Sequence, residues 1–354
     1  MNIGIVTFEF NYNYGALLQA YALVNCLRSM GHNASILNRG WGTWAEQNKK
    51  PTLKEEVSRL LGKYVTQRAI NSFRYRLLPF TNSIHSEEEL EQTVKQFDLI
   101  IVGSDQIWSS GTVQTMGYYY FADFAIKAGV PVISYAASMG KGSFEVTPVQ
   151  RANISLLLAH YKAVSCRERQ MIPILKGLGV EHPYCVLDPT LIANIDIFDK
   201  LTIGEGKNRI AYYFLDPNVT KIEILRQIEQ SLKVHSVNTY LTDTQIPLLR
   251  SKYPPVESWL SRIKNAYFVV TDSFHGMAFS ILFKRDFIVI ANKKRGVARF
   301  TSLLGQLGLE NRIVSTPIEA TNLCKCPIDY DIVSKKIASL KKYSLDFLQN
   351  CCCQ

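Results

Sequence analysis

Short apolar runs alternate along the chain with stretches in which apolar residues recur every three or four positions. The first run, Ile3–Phe8, predicts a β-strand, and apolar residues at 17, 20, 21, 24 and 27 predict a helix over Ala16–Met30. Gly31 is placed to cap the end of that helix, and Ala34–Leu37 predicts the next strand. This order is typical of a parallel sheet with helices on both faces, so the sequence predicts an α/β fold.

The alternation continues in two series, separated by a charged, glycine-rich stretch at 203–208. Each series predicts a Rossmann-like domain, so we expect an N-terminal domain over 1–200 and a C-terminal domain over 201–330. Helices are expected in the second domain near 219–232, 256–264 and 275–283. The remaining strands are expected at Asp98–Val102, Val130–Tyr135, Ala163–Ser165, Tyr184–Leu187, Ile210–Leu215, His235–Leu241, Tyr267–Thr271 and Phe287–Ile290.

Two segments depart from this alternation. Residues 41–96 have a helical pattern and are rich in lysine and arginine up to Arg76, which indicates a basic helical insertion in the first domain. The closing segment, 331–354, contains a basic amphipathic helix over Asp331–Leu348, followed by the cysteines Cys351–Cys353. This helix either packs on a domain, returning to the first one, or lies on a membrane surface. The cysteine tail is either a frayed end or an acylation site.

Composition narrows the class of protein. Of the 354 residues, 47% are hydrophobic and 20% are charged, which excludes a disordered chain. No run reaches about 18 apolar residues and the N-terminus lacks the features of a secretory signal, so we expect a cytoplasmic protein without a membrane-spanning helix. The net charge of +10 favours anionic partners, which are phosphorylated metabolites, nucleic acid or a membrane surface. The eight cysteines lack zinc-site spacing, so we expect reduced thiols, with zinc binding as the alternative.

Polar loops follow several predicted strands, and in open α/β sheets ligands bind beyond the carboxyl ends of strands. Residues 9–16 contain asparagines and tyrosines but only one glycine, which suits a polyhydroxylated ligand better than a dinucleotide; a plain loop cap is the alternative. The loop Gly103–Trp108 has small residues that allow close approach of a ligand. Its Asp105 is a candidate for orienting or deprotonating a hydroxyl, although Asp and Ser also serve as helix N-caps.

His275 is the strongest candidate for proton transfer. It follows the strand Tyr267–Thr271 in a turn that Asp272 or Ser273 would cap, so it falls in the first turn of the next helix. The positive end of the helix dipole favours a neutral imidazole and binds anions, a combination that suits general acid–base catalysis. A purely structural histidine is the alternative.

One arginine and one group of basic residues are candidates for binding an anion. Arg167 follows a predicted strand, where a guanidinium can hold a carboxylate or phosphate in bidentate fashion, unless it pairs with Glu168 or another acid. The group follows the strand Phe287–Ile290 and either reaches the same cleft or forms a solvated basic face. It comprises Lys293, Lys294, Arg295 and Arg299.

Taken in order, these motifs resemble the polysaccharide pyruvyl transferase family. Each signature is weak alone, but six in order along almost the whole chain, outside 41–96 and the tail, form a strong match. They are Ile3–Thr7 with Asn13–Ala16 and Gln19; Gly103–Trp108; Ser165–Glu168; Leu187–Thr190; Thr271–Gly276; and Arg299 with Ser302–Leu304 and Leu307–Leu309.

The resemblance implies a glycosyltransferase-B-like fold, in which two Rossmann-like domains face across a cleft and a final helix often returns to the first domain. It also implies a reaction: the enolpyruvyl unit of phosphoenolpyruvate is transferred to two hydroxyls of a sugar, giving a pyruvate ketal and phosphate in surface or capsular polysaccharide biosynthesis. A galactose-type acceptor is expected. A lipid-diphosphate carrier would suit the basic insertion and the C-terminal helix, through peripheral association at the inner face of the plasma membrane.

No motif demands a cofactor such as a metal, a nicotinamide or a flavin, so phosphoenolpyruvate is expected as a donor substrate without a cofactor. Nucleic acid is not an expected partner, because the basic residues lack interleaved aromatics in a recognisable module. Two other functions fit the same fold. A nucleotide-sugar glycosyltransferase would need a ribose- or base-reading group in the second domain, and the sequence offers no persuasive one. A non-catalytic saccharide- or membrane-binding protein would not need His275.

The resemblance also assigns roles by position. His275 would handle protons, Arg167 would bind the donor and Asp105 would act on an acceptor hydroxyl, so these three are the predicted catalytic residues. Some family members carry a basic residue two places before the histidine, where this chain has Ser273. Donor binding is assigned to Arg167, Ser273, Phe274, His275, Arg295 and Arg299. Acceptor binding is assigned to Asn13, Tyr14, Gly15, Gln19, Ser104, Asp105, Gln106 and Trp108.

Overall fold

The computed structural model describes residues 1–8, 12–40, 64–140, 142–202, 208–240, 254–291 and 296–352, without the side chains of 64–67. The described residues form two compact units. Unit 1 draws on Met1–Lys50, Leu77–Ala193 and Ala338–Gln354, and unit 2 draws on Pro51–Arg76 and Asn194–Ile337. Each unit has its own parallel sheet and its own buried core.

Unit 1 is built on the strands β1 (Asn2–Val6), β2 (Asn33–Asn38), β3 (Phe80–Ser83), β4 (Leu99–Val102), β5 (Val132–Ser134), β6 (Ser165–Cys166) and β7 (Tyr184–Cys185). The first five form one parallel sheet in the order β3-β2-β1-β4-β5. Strand β4 is wholly apolar and buried, as expected of a central strand that is covered on both faces. The parallel pair β6–β7 lies beside β5, and single bridges join Ile133 of β5 to Ala163, which precedes β6, and Ala137, which follows β5, to Cys166 of β6.

Helices connect these strands, and their first residues follow ordinary capping rules. At the start of the first helix, the Asn13 side chain accepts a hydrogen bond from the Gly15 N–H at 2.8 Å. In the described residues up to 192, the helices are α1 (Tyr14–Ser29), α2 (Tyr64–Leu77), α3 (Glu87–Val94), α4 (Ser110–Met116), α5 (Asp123–Lys127), α6 (Pro148–Leu158), α7 (Met171–Lys176) and α8 (Pro189–Ile192), with a 3₁₀ turn at Tyr119–Phe121.

Unit 2 is built on the strands β8 (Ile210–Tyr213), β9 (Ser236–Asn238), β10 (Phe268–Thr271), β11 (Phe287–Ile290) and β12 (Ile313–Val314). They form one parallel sheet in the order β12-β11-β10-β8-β9, so the buried strand β10 is central. The turn after β10 therefore leaves the middle of the sheet. Its helices, within the part of the chain that the structure describes, are α9 (Asp196–Asp199), α10 (Val219–Leu232), α11 (Val256–Lys264), α12 (Phe274–Leu282), α13 (Ala298–Leu307) and α14 (Pro317–Leu323), with a 3₁₀ turn at Glu310–Arg312.

The last helix, α15 (Tyr330–Cys352), begins in unit 2 and ends in unit 1. In unit 2, the Lys336 ammonium donates to the Leu307 carbonyl at 2.8 Å. In unit 1, the Ser344 hydroxyl accepts a hydrogen bond from the Leu187 N–H at 2.9 Å. Among the helices of the described ranges, none combines the length and the apolar content that a bilayer crossing requires.

The predicted α/β fold with two Rossmann-like sheets and a C-terminal helix is confirmed. The helices predicted at 219–232 and 256–264 have the bounds observed for α10 and α11. Strands β3 and β12 have no predicted counterpart, because neither contains a long apolar run.

The stretch predicted as a helical insertion, 41–96, differs in part from that prediction. Its described residues include the helices α2 and α3, but Phe80–Ser83 form strand β3, which pairs with β2. Most of α2 is counted with unit 2, where Arg76 forms an ion pair with Glu257. Residues 41–63 lie outside the described residues. After the segment Leu77–Ala193 of unit 1, the chain enters the main part of unit 2 at Asn194.

Candidate active site

Arg167 is the centre of a buried ionic cluster in unit 1. It follows β6 directly, and its side chain is 2% exposed. Its Nη1 lies 2.6 Å from Asp188, its Nε 3.1 Å from Glu168 and its Nη2 3.4 Å from Asp105. Burial disfavours the charged guanidinium, but the carboxylates of Glu168, Asp188 and Asp105 outweigh burial and raise the pKa of Arg167. The guanidinium therefore stays charged inside unit 1.

Asp188 supplies the innermost carboxylate of the cluster. It is the N-cap of α8, because its Oδ1 accepts hydrogen bonds from the Thr190 N–H at 3.0 Å and the Thr190 hydroxyl at 2.7 Å. Its Oδ2 accepts a hydrogen bond from the Ser104 hydroxyl at 3.1 Å in addition to the contact with Arg167. This carboxylate therefore joins the loop after β4 to the segment after β7.

Asp105 has the most exposed side chain of the three acids, 12% against 3% for Glu168 and 0% for Asp188. Its φ of 79° lies in the left-handed region, which residues with a side chain seldom adopt. Two residues earlier, a Cβ at position 103 would collide with the Tyr135 carbonyl, so only glycine fits there. The turn after β4 thus fixes the position of the carboxylate that is most accessible to a ligand.

The residues predicted to bind the acceptor lie in the same loops, and most of them are buried. Gln19 accepts a hydrogen bond from the Ser104 N–H at 3.3 Å, which ties α1 to the loop after β4. The Trp108 indole donates to a main-chain carbonyl at 2.8 Å. Asn13 and Gln106 are half-buried. The buried ones besides Asp105 are Tyr14, Gly15, Gln19, Ser104 and Trp108.

His275 lies in the first turn of α12, which confirms the local structure predicted for it. Ser273 is the N-cap of this helix, and its side chain accepts a hydrogen bond from the Gly276 N–H at 3.4 Å. The Thr271 hydroxyl accepts a hydrogen bond from the Ser273 N–H at 3.0 Å and closes the turn after β10. The imidazole of His275 belongs to a residue that is 5% exposed, and it packs edge-on against Phe274 with ring centroids 5.3 Å apart.

Part of the predicted basic group lies outside the described residues, namely Lys293, Lys294 and Arg295. Arg299 is described, and it is the second residue of α13 with 7% of its surface exposed. Residues 9–11 of the predicted N-terminal loop are also outside the described ranges. Within those ranges no three His, Cys, Asp or Glu residues form a group that could hold a metal ion, and every described cysteine is a free thiol.

The structure thus brings Arg167 together with Asp105 in unit 1, and Ser273 and Phe274 together with His275 in unit 2. The alternative that Arg167 pairs with Glu168 is confirmed. No spacing rule points to Asp188 as a further partner, although Asp188 belongs to one of the six signatures. That contact depends on the placement of β7 beside β6, which only the fold provides.

A family model, polysaccharide pyruvyl transferase, matches residues 13–294 of the chain. No curated protein sequence matches the chain.

Solved structures, among them the following three, resemble more than nine-tenths of the chain. The UDP-GlcNAc 2-epimerase from Methanocaldococcus jannaschii is 13% identical, with 93% of each chain covered and a TM-score of 0.51. Anabaena HepE in complex with UDP and glucose is 10% identical, with 97% of this chain and 94% of that chain covered and a TM-score of 0.50. Thermobaculum terrenum O-GlcNAc transferase is 11% identical, with 99% of this chain and 66% of that chain covered and a TM-score of 0.50. At these identities the similarity concerns the fold, and it confirms the glycosyltransferase-B-like class.

Proposed function

The chain belongs to the polysaccharide pyruvyl transferase family, and on that basis we propose that it transfers the enolpyruvyl unit of phosphoenolpyruvate to two hydroxyls of a sugar. The products are a pyruvate ketal and inorganic phosphate. The observation that carries this proposal is the turn after the central strand β10, which holds a buried histidine in the first turn of a helix.

The proposed reaction begins with proton transfer to the methylene carbon of phosphoenolpyruvate. This leaves positive charge at C2, which the oxygen of the first sugar hydroxyl attacks. The bond between C2 and the phosphate oxygen then breaks, phosphate departs, and the second hydroxyl oxygen closes the ketal. The two hydroxyls release two protons. One replaces the proton that the catalytic acid gave to the methylene carbon, and the other leaves with phosphate. We assign these transfers to His275.

The donor's anionic groups are proposed to bind beside His275. The first turn of α12 offers backbone N–H groups and the positive end of the helix dipole, both of which favour a phosphate or a carboxylate. Ser273 and Phe274 belong to the same turn and are assigned to donor binding. Arg299 and Arg295 are proposed as additional cations, the latter from outside the described residues.

Asp105 is proposed to orient an acceptor hydroxyl or accept its proton. Three carboxylates around one guanidinium make this end of unit 1 acidic, which suits a neutral polyhydroxylated ligand. The contact between Arg167 and Asp105 is the longest of the three, at 3.4 Å. We propose that this contact opens when the acceptor binds, and that Asp105 then turns to the acceptor hydroxyl while Arg167 keeps Glu168 and Asp188.

The acceptor is proposed to be a galactose-type sugar, carried on a lipid diphosphate at the inner face of the plasma membrane. The basic character of the chain supports this, with a net charge of +10 and lysines along α15. Three of those lysines have protein partners, since Lys336 and Lys341 donate to carbonyls and Lys342 pairs with Asp346. Membrane association through α15 alone is therefore expected to be weak.

The test is phosphate release from phosphoenolpyruvate in the presence of a panel of galactosides and lipid-linked sugars. Wild type is compared with His275→Ala and with His235→Ala, a matched control because His235 is an exposed histidine of the same unit. We expect His275→Ala to slow release by about 100-fold to 10,000-fold and His235→Ala to behave as wild type.

The proposal fails if no acceptor elicits phosphate release, or if His275→Ala keeps the full rate. Binding of a nucleotide diphosphate sugar, with no effect of phosphoenolpyruvate on thermal stability, would instead favour a glycosyltransferase on the same fold.

A further inference from the structure

A buried ion pair lies next to the His275 turn in unit 2. The Lys221 ammonium is 2.5 Å from Asp272 Oδ2, and the two side chains are 5% and 0% exposed. Lys221 lies in the first turn of α10, after β8, and Asp272 directly follows β10. Because β8 and β10 are neighbouring parallel strands, this pair joins the two loops that leave their carboxyl ends.

The loop after β8 supplies further hydrogen bonds to the same carboxylate. Oδ1 of Asp272 accepts from the Leu215 N–H at 2.6 Å, and Oδ2 accepts from the Asp216 N–H at 3.1 Å. The Lys221 ammonium also donates to the Asp216 carbonyl at 2.7 Å. Lys221 and Asp272 thus hold the start of the His275 turn against the end of β8.

We infer that Lys221 and Asp272 are positioning residues that keep His275 in the geometry its reaction requires. Asp272 is joined by one peptide bond to Ser273, the N-cap of the helix that carries His275. The polar atoms of the pair are bonded to each other and to the loop after β8, so their effect on catalysis passes through the turn. This inference rests on the proposed role of His275 in proton transfer.

Stability alone is a weak reason for such a pair. Apolar residues of similar volume often stabilise a protein as well as a buried ion pair does, because two charges must be withdrawn from water. Removal of the ammonium would leave the Asp272 carboxylate with backbone N–H donors, and we expect the carboxylate and the turn to shift towards water. A displacement of about 1 Å in a catalytic group can lower the rate by about 100-fold.

The test compares Lys221→Met with Lys264→Met. Lys264 is a matched control, because it pairs with Asp199 in the same unit at 2.9 Å, but with a 30% exposed side chain. Each variant is assayed at a temperature at which circular dichroism shows it to be folded. We expect Lys221→Met to lower kcat by about 10-fold to 100-fold, with KM for phosphoenolpyruvate changed by less than about threefold.

The nuclear magnetic resonance signals of the His275 ring report a change in its surroundings. A purely stabilising role of Lys221 would not shift them. We expect them to shift in Lys221→Met and to stay in place in Lys264→Met. Lys221→Arg covers the case in which Lys221→Met does not fold, because a guanidinium keeps the charge but cannot reproduce the ammonium's position between Asp272 and the Asp216 carbonyl. We expect a shift of the His275 resonances and a kcat lower by about fivefold there.

Wild-type kcat and unshifted His275 resonances in folded Lys221→Met would overturn the inference. If Lys221→Met does not fold, the same result in Lys221→Arg would overturn it. The His275→Ala assay distinguishes this failure from failure of the proposed function. If His275→Ala abolishes phosphate release and the Lys221 variants do not affect it, the positioning role is wrong and the proposed function stands. If His275→Ala releases phosphate at the full rate, the proposed function is wrong.

Discussion

The two clusters at the strand ends use charge in opposite ways. In unit 1 a single guanidinium, that of Arg167, is shared by three carboxylates. In unit 2 a single carboxylate, that of Asp272, is met by one ammonium and two backbone N–H groups. The first cluster has three carboxylates and one cation, whereas the second has one carboxylate and one cation. The first setting suits the proposed acceptor hydroxyl, which must lose a proton, and the second leaves a helix N-terminus next to the proposed site of the anionic donor.

The largest effect is expected when the cation of the unit 1 cluster is removed. Arg167→Ala would leave three carboxylates without their shared partner, and we expect the free energy of unfolding to fall by about 3–5 kcal/mol and phosphate release to be lost. Chemical denaturation and the phosphate assay measure the two effects. Arg151→Ala serves as control, because Arg151 is exposed. Wild-type stability with lost activity would mean that Arg167 acts only on substrate.

Substitution of the most exposed acid separates catalysis from stability within the same cluster. Asp105→Asn leaves Arg167 with Glu168 and Asp188, so we expect a change in unfolding free energy of only about 1 kcal/mol. The rate of phosphate release should nevertheless fall by about 100-fold, because the acceptor hydroxyl would lose its proposed base. Asp123→Asn, at an aspartate paired with the exposed Lys127, is the control for a lost charge. Unchanged kinetics in Asp105→Asn would remove Asp105 from the mechanism.

A pair of glycine substitutions tests how tightly the unit 2 turn is packed. A Cβ on Gly276 would overlap Thr271 Oγ1, whereas a Cβ on Gly111 would meet open space. We expect Gly276→Ala to lower the free energy of unfolding by about 1–3 kcal/mol and to reduce kcat. Gly111→Ala, within α4, should leave kcat unchanged and raise stability by up to about 1 kcal/mol. Equal melting temperatures in the two variants would contradict the close contact.

The smallest effect concerns three buried or half-buried thiols of unit 1. Cys166 and Cys185 are register partners on β6 and β7, and the hydrogen bond between them raises the pKa of Cys166 and lowers the pKa of Cys185. Burial raises the pKa of Cys26 to about 11. At pH 8 a thiol with that pKa is deprotonated in only about one molecule in 1,000. We therefore expect iodoacetamide to alkylate Cys185 before Cys26.

Peptide mass spectrometry at successive times measures this order, and the exposed Cys326 is the positive control. In Arg167→Ala we expect the labelling of Cys166 to accelerate, because Cys166 immediately precedes the residue that holds the cluster together. Equal labelling rates for Cys26 and Cys185 in wild type would show that the hydrogen bond between the two strand thiols has no effect on reactivity.

Features that depend on local sequence could be predicted, and features that depend on strand order could not. The bounds of α10 and α11, and the place of His275 in the first turn of α12, follow from periodicity and capping within a few residues. Strand β3 is a short, partly exposed edge strand that leaves no such pattern. The contact between Asp272 and Lys221 joins residues 51 positions apart, and it exists because β8 lies beside β10. The spacing of residues along the chain does not indicate which strands are neighbours in the sheet.

The path of α15 determines the order in which the two units can be completed during synthesis. Unit 1 requires residues from Ala338 onwards, which the ribosome adds after all of unit 2. These residues include Ser344, which satisfies the Leu187 N–H, and Phe347, whose ring centroid lies 4.9 Å from that of Tyr184. Domains generally fold in the order of their synthesis. Here unit 1, whose strands are synthesised first, is completed last, so Ser344 and Phe347 can pack on the β7 segment only after unit 2 has been made.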